Sequence, residues 1–509
     1  MKPIFLLILL AGLAPGEEPI AVTHHSITLY GRALNYTAYA GRLPIIDTES
    51  GETHGEIFFV AYTADRPPNQ KARPVTFVWN GGPGANSTPV HLLGFGPRHI
   101  KGEDDPVHPP ANEFEMEDNQ STWLDATDLV FVDPIGTGFS RATKPEYESE
   151  FYSVLGDIAE IAEFIRVYRA RFDAWDAPIF LAGESYGTWR ASGVAEALER
   201  SGVKISGVVL ISGGIQVGSV GTDEMKTALF LPRFTAAAAF HRKLPAELQA
   251  NPAAAIEKAE AWARDEYGPA LERRDKLSPQ VREAIVAKLA YFTGLDAAQI
   301  EKENFSLTLA SSQFDAWLMK DQKLTLGRLD MRLTTQKTPR GQADVISRYL
   351  RSELQFKTDL AYQGVEHGYS AAAGRGVGQR WSWNQVKIAP PNPSTHPIYG
   401  LEFDRAAASQ KDAIVVGSGN GPPVLAEPWL RRAITMDPAL RVYVATGRYD
   451  SLNSCEHNAY VIAHIEPQFG HNMKSGCYTG GHMIYADRDA RFQLKRDVTA
   501  FIRGQEETR

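Results

Sequence analysis

Four short segments carry residue types suited to attack on an acyl carbon: Trp79-Asn80-Gly81-Gly82-Pro83-Gly84, Gly183-Glu184-Ser185-Tyr186-Gly187, Gly447-Arg448-Tyr449-Asp450 and Gly480-Gly481-His482-Met483. A serine hydroxyl is a weak nucleophile until a base takes its proton. Ser185 lies in a G-x-S-x-G frame, after the apolar run Ile179-Phe180-Leu181-Ala182 and before a helical pattern. Strand, sharp turn and helix are the setting of a nucleophile elbow. His482 is the candidate base, singled out among 13 histidines by its Gly-rich loop and its late position. Asp450 follows the apolar run Val442-Tyr443-Val444-Ala445. A carboxylate there can hold the imidazole in one tautomer and stabilise its charged form; the other use of such an aspartate is a helix N-cap.

The order serine, aspartate, histidine is the one an α/β-hydrolase needs. The tetrahedral intermediate also needs backbone N–H donors. The Gly-rich stretch Asn80 to Gly84 ends the apolar run Val75 to Trp79 and leaves backbone open for close approach. A second donor in such a fold is the amide after the nucleophile, here Tyr186. No G-K-[S/T] follows the glycines, which disfavours phosphate binding.

Elements that could position these groups are visible as patterns. Residues 26–40 and 56–63 read as strands. Short, nearly continuous apolar runs follow at Val75 to Trp79, Leu129 to Val132, Ile179 to Ala182, Val208 to Ile211 and Val442 to Ala445. Runs of this kind suit strands buried on both faces of a sheet. Helical periodicity covers Val154 to Phe172 and Trp189 to Glu199. The alternation predicts an α/β fold: a mostly parallel central sheet with helices on both faces. From 216 to 428 the pattern changes to Ala-rich, charged helical stretches (Thr235 to Lys243, Ala253 to Ala263, Pro279 to Tyr291) and then Gly/Pro/Ser-rich segments. This predicts a largely helical lid insertion over the C-terminal edge of the sheet, where open α/β sheets bind ligands. The expected division is 1–16 signal peptide, 17–215 first part of the core, 216–428 insertion, 429–509 second part of the core.

The chain has 509 residues, 43% hydrophobic and 22% charged, an ordinary globular composition. A net charge of −8 argues against a nucleic-acid partner. Met1-Lys2, the apolar run Ile4 to Ala14 and Ala14-Pro15-Gly16 read as a signal peptide cut after Gly16. The run is too short to span a bilayer, so no stable membrane insertion is expected after cleavage, and the protein should be secreted or periplasmic. Cys455 and Cys477, the two cysteines, permit one disulfide between the stretches bearing Asp450 and His482. Asn35, Asn86, Asn119 and Asn304 begin N-x-S/T patterns. His24 and His25 read as disordered N-terminal residues, and His457, His464 and His471 as one helix face and its exit rather than metal ligands. No metal set or dinucleotide fingerprint is visible, and the chemistry needs no cofactor.

These segments resemble the serine carboxypeptidase family. Asn80 to Gly84 looks like its oxyanion segment, Val132-Asp133-Pro134-Ile135-Gly136-Thr137-Gly138-Phe139-Ser140 like its buried turn, and Glu184-Ser185-Tyr186 and Gly481-His482-Met483 like its nucleophile and histidine segments. The resemblance implies removal of single residues from peptides with a free C-terminus. It makes Ser185, Asp450 and His482 a catalytic triad and the Gly82 and Tyr186 amides an oxyanion hole. Asn80, Gly81 and Glu184 would bind the terminal carboxylate, and Met483 would line the leaving-residue pocket. Two positions depart from the family pattern: Gly94 stands where a glutamate often pairs with the one at Glu184, and Ala85 where many relatives have a cysteine. Loss of one carboxyl of that pair predicts a weaker acid preference. An esterase or acyltransferase with the same triad, or an inactive hydrolase fold used for binding, are the alternatives.

Overall fold

The computed structural model describes residues 20–47, 49–67, 71–101, 105–107, 114–307, 312–334, 342–364, 376–382 and 428–505. The expected signal peptide and the Pro/Gly-rich stretches at 390–393 and 417–423 lie outside the described residues.

A ten-stranded mixed sheet forms the centre. Its strands are β1 (Ala21–Leu29), β2 (Arg32–Ile46), β3 (Thr53–Ala64), β4 (Val75–Trp79), β7 (Asp128–Val132), β8 (Arg141–Ala142), β9 (Ile179–Glu184), β10 (Gly207–Ile211), β11 (Arg441–Gly447) and β12 (Met473–Tyr478); β5 (Arg98–Ile100) and β6 (Met116–Asp118) make a separate pair. The order is β1-β2-β3-β7-β4-β9-β10-β11-β12, with β8 alongside β3. Every junction from β7 to β12 is parallel, and β1, β2 and β3 add antiparallel.

The apolar runs are strands because both of their faces are covered. Phe77, Trp79, Val130, Leu181, Val208 and Val442 enter one core, beneath the helices Val154–Arg171, Gly187–Arg200 and Trp429–Met436. The alternate residues Val78, Phe131, Phe180, Val209 and Tyr443 enter the other, beneath the helix Arg488–Arg503. The α/β architecture with helices on both faces therefore stands.

The stretch read as extended over 26–40 is two strands. Tyr30 and Gly31, with φ of 49° and 76°, turn the chain back between β1 and β2. Positive φ at both central residues matches the twist of a tight hairpin. His24 and His25 are not disordered: both belong to β1 and pair in register with Thr37 and Tyr36 of β2. Their alternation was masked by polar residues, because this outer strand buries only every other side chain. Asn86 and Asn119 are buried, which removes two of the four N-x-S/T asparagines from the surface.

Within the stretch expected to form the insertion, two parts behave differently. Helices Asp223–Ala228, Leu231–Phe240, Pro252–Trp262 and Pro279–Thr293 share an apolar core of their own, with Phe234, Trp262, Leu289 and Phe292 inside. Residues Val345, Tyr349, Leu350 and Phe356 instead pack into the core of the sheet.

Candidate active site

Four adjacent or near-adjacent parallel strands end at the same edge, and the four chemical segments continue from them: Asn80 after β4, Ser185 after β9, Asp450 after β11 and His482 after β12. Ser185 has φ of 58°, a left-handed conformation that a non-glycine residue adopts only when its surroundings enforce it. Here the enforcement is visible. Its N–H donates to the Ile211 carbonyl at 2.9 Å, and its carbonyl accepts from Thr188 N at 3.0 Å. The turn is tight enough that a Cβ at Gly183 would lie 1.9 Å from the Gly187 carbonyl oxygen. Trp79 Nε1 donates to that same carbonyl at 2.9 Å, fastening β4 to the elbow.

The oxyanion segment lies against the elbow. A Cβ at Gly81 would come within 2.5 Å of the Tyr186 nitrogen and 2.6 Å of the Glu184 carbonyl, so only glycine permits this approach. Gly82 and Gly84 have φ of 102° and 91°. Beneath both segments lies a buried pair that sequence reasoning missed. Arg190 Nε contacts both Asp157 oxygens at 2.9 and 2.8 Å, and its Nη1 donates to the Asn80 carbonyl at 2.7 Å. Tyr186 OH donates to Asp157 Oδ2 at 2.9 Å. One guanidinium thus ties the end of β4 through Asp157 to Tyr186, the residue after Ser185. Its signal in the sequence was an arginine inside an otherwise small and apolar helix face.

On the other side, His482 Nδ1 donates to Asp450 Oδ2 at 2.9 Å. This leaves Nε2 as the acceptor of the neutral ring. Asp450 is fully buried and also accepts from Leu452 N and Asn453 Nδ2, each at 2.8 Å. It is not a helix N-cap; Ser454 caps the following helix Cys455–His464. Burial alone would lower the His482 pKa, but the Asp450 carboxylate, its hydrogen bond and Glu184 outweigh burial and raise it to about 9. His482 Nε2 faces the elbow, 3.5 Å from Glu184 Oε1, and Ser185 is the next residue along. Ser185 Oγ forms no hydrogen bond to the ring among the described residues. Such contacts are often long without substrate.

Asn80 and Glu184 meet. Asn80 Nδ2 donates to Glu184 Oε2 at 2.6 Å, and Val90 N donates to Asn80 Oδ1 at 3.1 Å. Burial raises the Glu184 pKa, with His482, Asn80 and the Gly81 amide opposing. Burial thus favours the neutral acid, which can donate a hydrogen bond to an anion. Met483 is half-buried beside the histidine.

The aspartate and histidine loops are clasped from outside the sheet. Cys455 and Cys477 form a disulfide, linking the helix after Asp450 to the strand before His482. Residues 328–331 pass between the two loops: the Leu329 carbonyl accepts from His482 N at 2.6 Å, Ser451 Oγ donates to the Arg328 carbonyl at 2.5 Å, and Met331 N donates to the Tyr449 carbonyl at 2.9 Å. Arg233, from the helix Leu231–Phe240, is buried and donates through Nη1 to the carbonyls of Asp450, Ser451 and Asn453. Its charge lies over the rings of Phe230 and Phe234, 4.0 and 4.7 Å from their centroids. Burial pulls its pKa down to about 9, against the pull of Asp450, Asp315 and Glu456. The disulfide, 22 residues apart in sequence, was among the expectations; nothing in the local sequence marked the contacts of residues 328–331 and Arg233 with the Asp450 and His482 loops, because each joins segments more than 100 residues apart. Among the described residues no group of histidine, cysteine, aspartate or glutamate could hold a metal ion, and no helix is long and apolar enough to cross a membrane.

The profile of the family described as serine carboxypeptidase matches residues 31–313. The pheromone-processing carboxypeptidase Kex1 of Neosartorya fischeri is 28% identical over 170 residues, covering 33% of this chain and 24% of that protein. The protein of the same name from Komagataella phaffii is 32% identical over 156 residues, covering 30% of this chain and 22% of the relative. The matched stretch therefore spans about a quarter of the length of these curated relatives. Among solved structures, the prohormone-processing carboxypeptidase Kex1 of Saccharomyces cerevisiae superposes with a TM-score of 0.46 at 16% identity, over 92% of this chain and 91% of that one. A thermostable carboxyl esterase from Bacillus coagulans gives a TM-score of 0.35 at 13% identity, over 96% and 99%.

Proposed function

The chain belongs to the serine carboxypeptidase family, and from that premise we propose that it removes single residues from the free C-terminus of peptides through an acyl-enzyme on Ser185. The observation that carries this reading is one convergence: the His482–Asp450 hydrogen bond, the left-handed Ser185 and the Asn80–Glu184 pair stand together at one sheet edge. His482 Nε2 takes the Ser185 proton as Oγ attacks the last peptide carbonyl. The Gly82 and Tyr186 N–H groups receive the oxyanion. His482 then gives the proton to the departing amine, and water repeats the sequence to free the acyl group. The terminal carboxylate of the peptide is held by the Asn80 side chain, the Gly81 amide and the Glu184 carboxyl. Met483 lines the pocket of the leaving residue.

Location outside the reducing cytosol fits the Cys455–Cys477 disulfide and the N-terminal address, so the enzyme is secreted or periplasmic. The test is mass spectrometry of peptides after incubation, each offered with a free and an amidated C-terminus. Loss of one C-terminal residue from the free acids, absent in Ser185→Ala, is expected. Cleavage of esters and amides alone defeats the exopeptidase reading.

A further inference from the structure

Tyr485, which the sequence did not single out, reaches the oxyanion segment from the histidine side. It lies in the single turn Ile484–Ala486, three residues after His482, and is fully buried. Its hydroxyl accepts from Asn80 Nδ2 at 3.3 Å, the same nitrogen that donates to Glu184 at 2.6 Å. The orientation of the amide is decided by its other end, since the Val90 N–H requires Oδ1 there. A primary amide has two N–H donors; with no substrate both face protein acceptors, and the longer bond to the phenol is the one an incoming carboxylate can share.

Room for the ring comes from position 94. A Cβ on Gly94 would lie 3.5 Å from Tyr485 Cγ and 3.7 Å from Cδ2, in ordinary contact, so the ring packs directly against this position and a branched side chain here would crowd it. Phe95 meets the ring edge-on with centroids 5.4 Å apart, and Arg491 Nη1 donates to the Tyr485 carbonyl at 2.8 Å. The glycine and the tyrosine are thus one feature. The phenol from the histidine segment neighbours the Asn80–Glu184 pair.

We infer that Tyr485 is a positioning residue for recognition of the substrate's terminal carboxylate, fixing the Asn80 amide and through it Glu184. The inference rests on the exopeptidase reading above. A residue that only tied the histidine and oxyanion segments together would matter equally for every acyl substrate. One that orients Asn80 matters most for substrates ending in a carboxylate.

The experiment compares kcat and KM of the full chain on a blocked dipeptide with a free C-terminus and on its C-terminal amide. Tyr485→Phe keeps the ring and removes the hydroxyl. The ratio of kcat/KM between acid and amide is expected to fall roughly tenfold, mainly through KM. Gly94→Val, which crowds the ring, should lower the ratio in the same direction, and it carries the test if Tyr485→Phe does not fold. Gly94→Ala, whose Cβ meets only ordinary contacts, should keep it. An unchanged ratio in Tyr485→Phe and Gly94→Val, or an equal loss on both substrates, overturns the role of Tyr485. A wild-type enzyme that does not prefer the free acid removes the exopeptidase reading instead, and this inference with it.

Discussion

The serine side of the site is fastened from beneath, the base side from above. Under Ser185 and the oxyanion segment, Arg190 and Asp157 form an ion pair with both side chains buried in the sheet's own helices. Over Asp450 and His482, the fastenings are residues 328–331, Arg233 and the disulfide. Two of these three come from the stretch between 216 and 428 that the sequence set apart from the strands. The serine side is therefore part of the core and fails only with it. The base side depends in addition on contacts with residues 328–331 and Arg233, which lie outside the strands.

The largest expected effect tests how much the base side contributes. Asp450→Asn leaves a side chain of similar shape but removes the carboxylate that fixes the Nδ1–H tautomer. A fall in kcat of about 10³- to 10⁴-fold is expected, measured by steady-state kinetics on a free-acid peptide. A loss of less than tenfold would mean that another group orients the imidazole.

A paired substitution separates the two kinds of fastening. Arg190→Met removes one partner of a buried ion pair and leaves Asp157 uncompensated, at a cost of about 3–5 kcal/mol in global stability. Arg233→Met removes hydrogen bonds to backbone carbonyls, and its acidic neighbours Asp450, Asp315 and Glu456 lose a charge that acts on them through space rather than the partner of a direct ion pair. Its cost should be about 1–3 kcal/mol, with a lower kcat caused by displacement of the Asp450 loop. Denaturant melts alongside kinetics check both. If Arg233→Met proves the more destabilising of the two, the contrast between the sides is wrong.

The smallest effect is a shift of a pH profile. Burial works against a charged His482, yet its pKa is raised to about 9 by Asp450 and then Glu184. A raised histidine pKa means the base form is lost as pH falls through that value, so kcat/KM drops on the acid side. Glu184→Gln removes a carboxyl whose charged form supports the imidazolium. The acid limb of kcat/KM should then move to lower pH. A limb that stays in place, or moves upward, would show that Glu184 is not an electrostatic neighbour of the base in the working enzyme.

Legibility in the sequence followed chain distance. The elbow could be read because strand, glycines and serine are contiguous, and Gly183 is needed to avoid the Gly187 carbonyl four residues away. The parallel strands could be read because burial on both faces makes them uninterrupted apolar runs. Of β1 only the second half, from Ser26 to Leu29, could be read, since polar residues fill its exposed positions before that, and the two-residue turn separating it from β2 was missed. Arg190 was hidden because its partner Asp157 is on a different helix. Tyr485 was hidden because the Asn80 amide it meets lies 405 residues earlier in the chain.

What the amino-acid order determined alone is the set of groups and the elements that carry them: a serine on a sharp turn after a buried strand, an aspartate and a histidine after later ones, each a consequence of local patterning. What only the tertiary structure decided is which groups face one another, from the Asp450–His482 hydrogen bond to the amide of Asn80 shared by Glu184 and Tyr485. The reason is physical. Hydrophobic periodicity and turn chemistry act over a few residues, whereas a hydrogen bond between side chains is set by the strand order and the packing that bring distant segments within about 3 Å.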